Sequence, residues 1–145
     1  MTDRGPSQTA LGAASLRAAH QLLDGEPKIL EDPIVLKLLH PSVLEWIRQH
    51  PDYYQVPRRR SLRTHMMVRS RFAEERLEQA ARAGVSQYVI LGAGIDTFAY
   101  RQPTWAAGLK VFEVDHPASQ SAKQELLKDA GIPQPANLEY VPIDF

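Results

Sequence analysis

Residues 88–101 read YVILGAGIDTFAYR, and this stretch decides the fold. Tyr88-Val89-Ile90-Leu91 is apolar, rich in β-formers and free of charge. The run breaks at Gly92-Ala93-Gly94, as a buried parallel strand would at its carboxyl end. Glycine in such a turn lets the backbone approach a ligand where a side chain would collide. A tight strand-to-helix turn also needs glycine for purely structural reasons, so the turn alone leaves both readings open. Residues 96–101 can open a short helix, which Pro103 limits.

Working outward, the period changes on both sides. Downstream, residues 110–114 (KVFEV) form a second strand that ends at Asp115-His116-Pro117. A helix over 117–130 stops at Gly131, and a third strand covers 138–143. Upstream, residues 61–83 form the longest helix, with Leu62, Met66, Ala73, Leu77 and Ala80 as its apolar stripe and Gly84 as terminator. The Pro-rich segment 51–60 reads as a connector. Shorter helices cover 42–49 and 33–39, the latter with Asp32 as N-cap and Pro33 in the first helical position. A helix over 9–23 has Leu11, Ala14, Ala18 and Leu22 at helical spacing and Thr9 as N-cap. Residues 1–8 are a polar tail. The organisation is a tail and helical cap over 1–60, then βαβαβ over 61–145. Strands alternating with helices imply an α/β fold with a parallel, doubly wound sheet.

Composition narrows the function classes. Of 145 residues, 43% are apolar and 23% charged, so a packed core is affordable. Lys and Arg number 17 and so do Asp and Glu, which leaves no net field to draw nucleic acid or an anionic membrane. The chain has no cysteine, which excludes disulfides and thiolate metal sites. Residues 1–6 lack the apolar core of a signal peptide, and no run is long enough to span a bilayer. A cytoplasmic protein without metal is the expectation.

Three strand ends carry the candidate chemistry. The dinucleotide pattern G-x-G-x-x-G would place its third glycine at position 97, where Thr97 stands. A β-carbon there hinders the close helix packing of a pyrophosphate-binding turn, which disfavours a dehydrogenase. An acidic residue closing the second strand, about 20 residues after the glycines, can accept both hydroxyls of a ribose. Asp115 fits best, with Glu113 on the same strand face as the alternative. Asp144, just past the third strand, can accept a hydrogen bond from an adenine amino group while the N–H of Phe145 faces a ring nitrogen. Either aspartate is also explained as an ordinary strand-end residue.

Four ordered blocks, RSRFAEER at 69–76, YVILGAGIDTFAYR at 88–101, VFEVDHP at 111–117 and VPIDF at 141–145, resemble the leucine carboxyl methyltransferase family. The stretch 9–33, with RAAHQLL at 17–23, is similar to its bacterial S-adenosylmethionine-dependent branch, some members of which are associated with polyketide O-methylation. The resemblance implies S-adenosyl-L-methionine as cofactor. It implies Gly92 and Gly94 around the methionine part, Asp115 on the ribose, and Asp144 with Phe145 at adenine, where the family often has Leu second. Arg71 resembles a family arginine that pairs with the cofactor carboxylate, a task suited to bidentate guanidinium geometry. Ile90 and Asp96 stand where methyltransferases outside the family often have an acidic residue and a third glycine. Phe98 replaces an Arg of some relatives.

The implied reaction is O-methyl transfer to a carboxylate or hydroxyl of a small molecule or peptide end. The implied fold is a Rossmann-like class I methyltransferase sheet ordered 3-2-1-4-5-7-6, of which this sequence supplies the first three strands. The expectation is therefore a form truncated after the third strand, with little activity alone and an open edge on strand one that invites self-association. Catalytic residues on the acceptor side remain unknown. Two other readings stand beside this one: a nicotinamide-dependent Rossmann oxidoreductase, and a non-catalytic remnant or interaction module. Arg58, Arg59, Arg60 and Arg63 read as a solvated helix start rather than a nucleic-acid patch. Trp46, Tyr53 and Tyr54 suit either core packing or a substrate pocket under an N-terminal lid.

Overall fold

A computed structural model describes residues 7–144. Its helices are α1 (Gln8–Leu23), α2 (Pro33–Leu38), α3 (Pro41–Gln49), α4 (Pro51–Gln55), α5 (Pro57–Arg82) and α6 (Pro117–Asp129). Its strands are β1 (Gln87–Leu91), β2 (Lys110–Asp115) and β3 (Leu138–Pro142). Every helix after α1 begins on a proline. That ring lacks only an N–H that the first turn leaves unpaired anyway, and its fixed φ suits the helix. Side-chain caps complete several starts: Ser7 Oγ accepts from the Ala10 N–H, and Asp32 accepts from the Val35 N–H. The cap of α1 is thus Ser7 and not Thr9.

The segment 51–60, expected as a connector, is helical. Pro51 and Pro57 start α4 and α5, and only Val56 between them is extended, at φ −57° and ψ 140°. Prolines close together therefore mark successive helix starts here, not a loop. The residues expected to open a helix at 96–101 form a 3₁₀ turn over Phe98–Tyr100 instead, and a second covers Thr104–Gly108.

All three strands are parallel, with β2 between β1 and β3. Their register puts Tyr88, Ile90, Val111, Glu113, Leu138 and Tyr140 on one face. On that face Val111 and Leu138 are buried against Leu77 of α5 and Phe98, Ala99, Ala106 and Leu109 of the 3₁₀ segments. The Phe98 ring meets Tyr88 edge-on at 5.3 Å, so Phe98 is a core residue rather than a pocket residue. The opposite face carries Val89, Leu91, Phe112, Val114 and Val141. β1 is not the buried strand expected: Val89 is 50% and Leu91 73% exposed. Among the described residues, no strand pairs with the far edge of β1, and the strand order places it at one end of the sheet.

The face that α5 buries is Arg63, Met67 and Leu77. Leu77 belongs to the apolar stripe expected, but in the first half of the helix burial is one position off it, at Arg63 and Met67 rather than Leu62 and Met66, and Leu62 is 50% exposed. The reason is ionic. Arg63, 1% exposed, gives both ends of its guanidinium to Asp24 at 2.7 and 2.8 Å and a third bond to the Tyr54 carbonyl. A second core cluster joins Ala14, Ala18 and Ala19 of α1 to Val35, Leu38, Ile47, Tyr54, Ile95 and Leu127. Residues 60 and 61 lie within α5, and this cluster links the N-terminal helices to the sheet region. Among the described residues, no helix is long and apolar enough to cross a membrane.

Candidate functional site

The carboxyl ends of the three strands lie side by side, because the strands are parallel and in register. At the end of β1 the chain bends through Gly92 and Gly94, with φ of +61° and +49°. Those angles are left-handed, a region that side-chain-bearing residues rarely adopt. An added Cβ at Gly92 would meet nothing within 4 Å, so glycine there answers to the backbone angle alone. A Cβ at Gly94 would lie 3.4 Å from the Ala10 methyl, which shows how closely α1 packs on the turn.

Asp115, at the tip of β2, closes onto this bend. Its Oδ2 accepts the Gly94 N–H at 2.5 Å and its Oδ1 accepts the His116 N–H at 2.6 Å. The Ala93 N–H donates to the Val114 carbonyl at 3.2 Å, which pins the turn to β2 a second time. Asp96 Oδ1 accepts the Phe98 N–H at 2.8 Å and sets the following 3₁₀ turn. Around the bend lies a cleft of about 480 Å³, whose walls include Gly92, Gly94, Asp115 and, from the helices, Ala10, Met66 and Arg69. That size is ordinary for a small-molecule site.

The expected site residues divide. Gly92, Gly94 and Asp115 share the cleft. Asp144 sits at the same edge of the sheet but outside the cleft walls, with an 82% exposed side chain 3.7 Å from His116 Nε2. The Ile143 N–H, one residue earlier, donates to the Asp115 carbonyl and holds that segment beside β2. Phe145 lies outside the described residues. Arg71 projects from another face of α5: it pairs with Glu75 at 2.6 Å, reaches the Ile29 carbonyl at 3.3 Å, and borders a separate pocket with Leu30 and Trp105. Two residues along a helix is a rotation of roughly 200°, so Arg69 and Arg71 face different ways. Arg69 is the α5 arginine in the cleft wall.

Glu113, the alternative to Asp115, is 1% exposed and salt-bridged to Lys123 at 2.6 Å beneath the sheet. Burial pushes its carboxyl above the usual range, and Lys123 only partly offsets this. Thr97, where a dinucleotide turn would have glycine, is fully buried and donates to Asp32 at 2.9 Å. Arg17 opens the RAAHQLL block of the resemblance, but no role for it is read from the sequence. Its guanidinium donates to the Ile95 carbonyl at 3.0 Å and bonds both Asp32 and Thr97. No periodicity of apolar residues could have marked it, since it is a buried cation in an alanine-rich helix. Trp46, Tyr53 and Tyr54 form an aromatic cluster with Arg59 over the Tyr53 ring at 3.6 Å, away from the cleft walls.

Fold and cleft together are those of an open α/β sheet with a glycine-turn crevice at its carboxyl edge. The family model for leucine carboxyl methyltransferase matches residues 10–145, and the chain belongs to that family. A Bacillus subtilis protein named "Putative S-adenosyl-L-methionine-dependent methyltransferase YktD" is 48% identical over 79 residues, covering 54% of this chain and 26% of that protein. A likewise named protein of Mycolicibacterium paratuberculosis is 34% identical, covering 99% of this chain and 55% of its own length. A Streptomyces coelicolor protein, SCO7813, is 34% identical over 83% of this chain and 42% of itself. The chain thus spans about half the length of these relatives, or less.

Proposed function

We propose that this chain carries the S-adenosyl-L-methionine-binding segment of a methyltransferase that transfers the methyl group to a carboxylate or hydroxyl oxygen of a small molecule or peptide end. The observation that carries this reading is the contact between Asp115 and the Gly94 N–H at the mouth of the cleft. It sets a fixed acceptor for a sugar diol beside a stretch of backbone that bears no side chain. The residues fit the cofactor in other respects. Gly92 offers open space, Arg69 offers a cation for an amino-acid carboxylate, and Asp144 stands at the next strand end. Arg69 replaces Arg71 in that role because it shares the cleft with the glycines.

The bound cofactor supplies an activated methyl group on a positively charged sulfur. The chain's own contribution is to hold that donor in line and exclude water, which needs no general base when the acceptor is already a carboxylate. The relatives' names, each containing the words S-adenosyl-L-methionine-dependent methyltransferase, support the same reading.

Titration calorimetry on the chain with S-adenosylhomocysteine and with NAD tests it. Saturable binding of the homocysteine compound, weakened on the order of tenfold or more in Asp115→Asn, is expected. Tighter binding of NAD would replace this reading with an oxidoreductase, and no affinity for either in folded protein would leave an interaction module.

A further inference from the structure

One cluster of charge runs from the cleft wall, where Arg17 stands with Ile95 and Asp96, back between the helices. Arg17 projects from the middle of α1 and is 9% exposed. One guanidinium nitrogen donates to the Ile95 carbonyl, the residue directly after Gly94. The other bonds Asp32 and Thr97 together. Asp32 is fully buried, caps α2 through the Val35 N–H at 3.2 Å, and accepts the Thr97 hydroxyl. From the far side Arg101 donates to Thr97 Oγ1 at 3.0 Å and grips Glu74 of α5 with two bonds of 2.6 and 3.0 Å. Although burial alone would lower it, the bond to Glu74 holds the Arg101 guanidinium above its ordinary value.

The chain of groups Glu74, Arg101, Thr97, Asp32, Arg17 therefore links α5, the glycine turn, the start of α2 and α1. The same α1 supplies Ala10, Ala13 and Arg17 itself to the cleft wall. The two terminal nitrogens of Arg17 are bonded to the Ile95 carbonyl, Asp32 and Thr97, so the residue is held in place where it supports the turn from the cleft wall.

We propose that Arg17 is a positioning residue: through the Ile95 carbonyl and the Thr97 hydroxyl it fuses α1 to the glycine turn, so that filling the cleft and ordering α1 are one event. A ligand that settles against Gly92 and Gly94 then stiffens α1, and loosening α1 weakens the ligand. This inference rests on the reading of the cleft as a cofactor site.

The test uses the full chain, with S-adenosylhomocysteine as the probe. Its Kd is measured by calorimetry, and amide hydrogen exchange over residues 8–23 is followed with and without the probe. In the unaltered protein, saturation is expected to slow exchange throughout α1. Arg17→Met should bind on the order of tenfold more weakly and, at saturation, no longer slow α1. Arg17→Lys, which keeps the charge but loses the fork, should recover part of both. Should Arg17→Met fail to fold, Thr97→Val reads the same link, since it keeps the ion pair and removes only the hydroxyl. Variants that fold, bind as tightly as the parent and protect α1 equally would overturn the proposal while leaving the cofactor reading intact. A parent chain that does not bind the probe overturns the cofactor reading and this inference with it.

Discussion

The two faces of the sheet are built from alternate residues of the same strands, yet they meet different surroundings. On one face, Val111 is fully buried and Leu138 is 5% exposed beneath the helices and 3₁₀ turns. On the other, Val89 is 50% and Leu91 73% exposed, and only Val114, in register between Leu91 and Val141, is buried. The covered face also holds charge: Glu113 and Lys123 are paired there at 1% exposure each. The bare face is apolar along β1 and guarded by an exposed ion pair between Lys110 and Glu139 at its lower end. Strand alternation dictates which residues share a face. Only the placement of helices decides which face is a core.

That contrast can be broken most forcefully at the buried pair. Lys123→Met leaves Glu113 without its cation and should cost about 3–5 kcal/mol in urea denaturation at neutral pH. Burial already holds the Glu113 carboxyl above its ordinary value. The loss should therefore shrink on acidification, as the carboxyl takes up a proton and its buried charge disappears. A loss that is small at neutral pH and insensitive to acid would mean the covered face does not depend on this pair.

Next in size is a matched pair of truncations. Val111→Ala on the covered face should cost about 2 kcal/mol. Val89→Ala on the bare face should stay within about 0.5 kcal/mol, since it vacates a site already half in water. Equal losses at the two positions would erase the distinction between the faces.

The smallest effect concerns the helices that cover the sheet. Burial alone would raise the Asp24 carboxyl, but hydrogen bonds from Arg63 and His20 outweigh it and hold it below its ordinary 3.8. A lowered carboxyl stabilises the fold above that value and stops doing so as pH falls through the lower, folded value. Stability should thus drop by on the order of 1 kcal/mol or less on acidification below 3.8, because the group is partly open to screening solvent. Denaturation midpoints across the acid range check this. Asp24→Asn should flatten that limb, and an unchanged limb would assign the acid sensitivity elsewhere.

Much of this arrangement is legible in the residues. Glycines at 92 and 94, an aspartate closing β2 and the Asp32-Pro33 helix start each act locally, so short stretches of sequence suffice to read them, whereas the crowded prolines of 51–60 concealed two helix starts. That the strands run parallel follows from the helical segments between them, whereas their order is what the family resemblance implies. What escaped was set by partners distant in the chain. Arg63 is buried because Asp24 lies across from it, so the inner face of α5 could not be found from apolar spacing. That Arg69 stands in the cleft wall and the expected Arg71 borders another pocket follows from how α5 is rotated about its axis, which that buried arginine helps to fix. The exposure of β1 was equally hidden, since an apolar strand reads the same whether or not a neighbour covers it.

One last consequence belongs to Asp115. Both of its oxygens are already tethered from behind by main-chain N–H groups, so the carboxylate cannot turn away when the cleft is filled. Each oxygen has a second lone pair, which the proposed reading gives to the two hydroxyls of a ribose. On the proposed cofactor reading, a deoxyribonucleoside offers this carboxylate one hydroxyl fewer and should bind more weakly than the matching ribonucleoside.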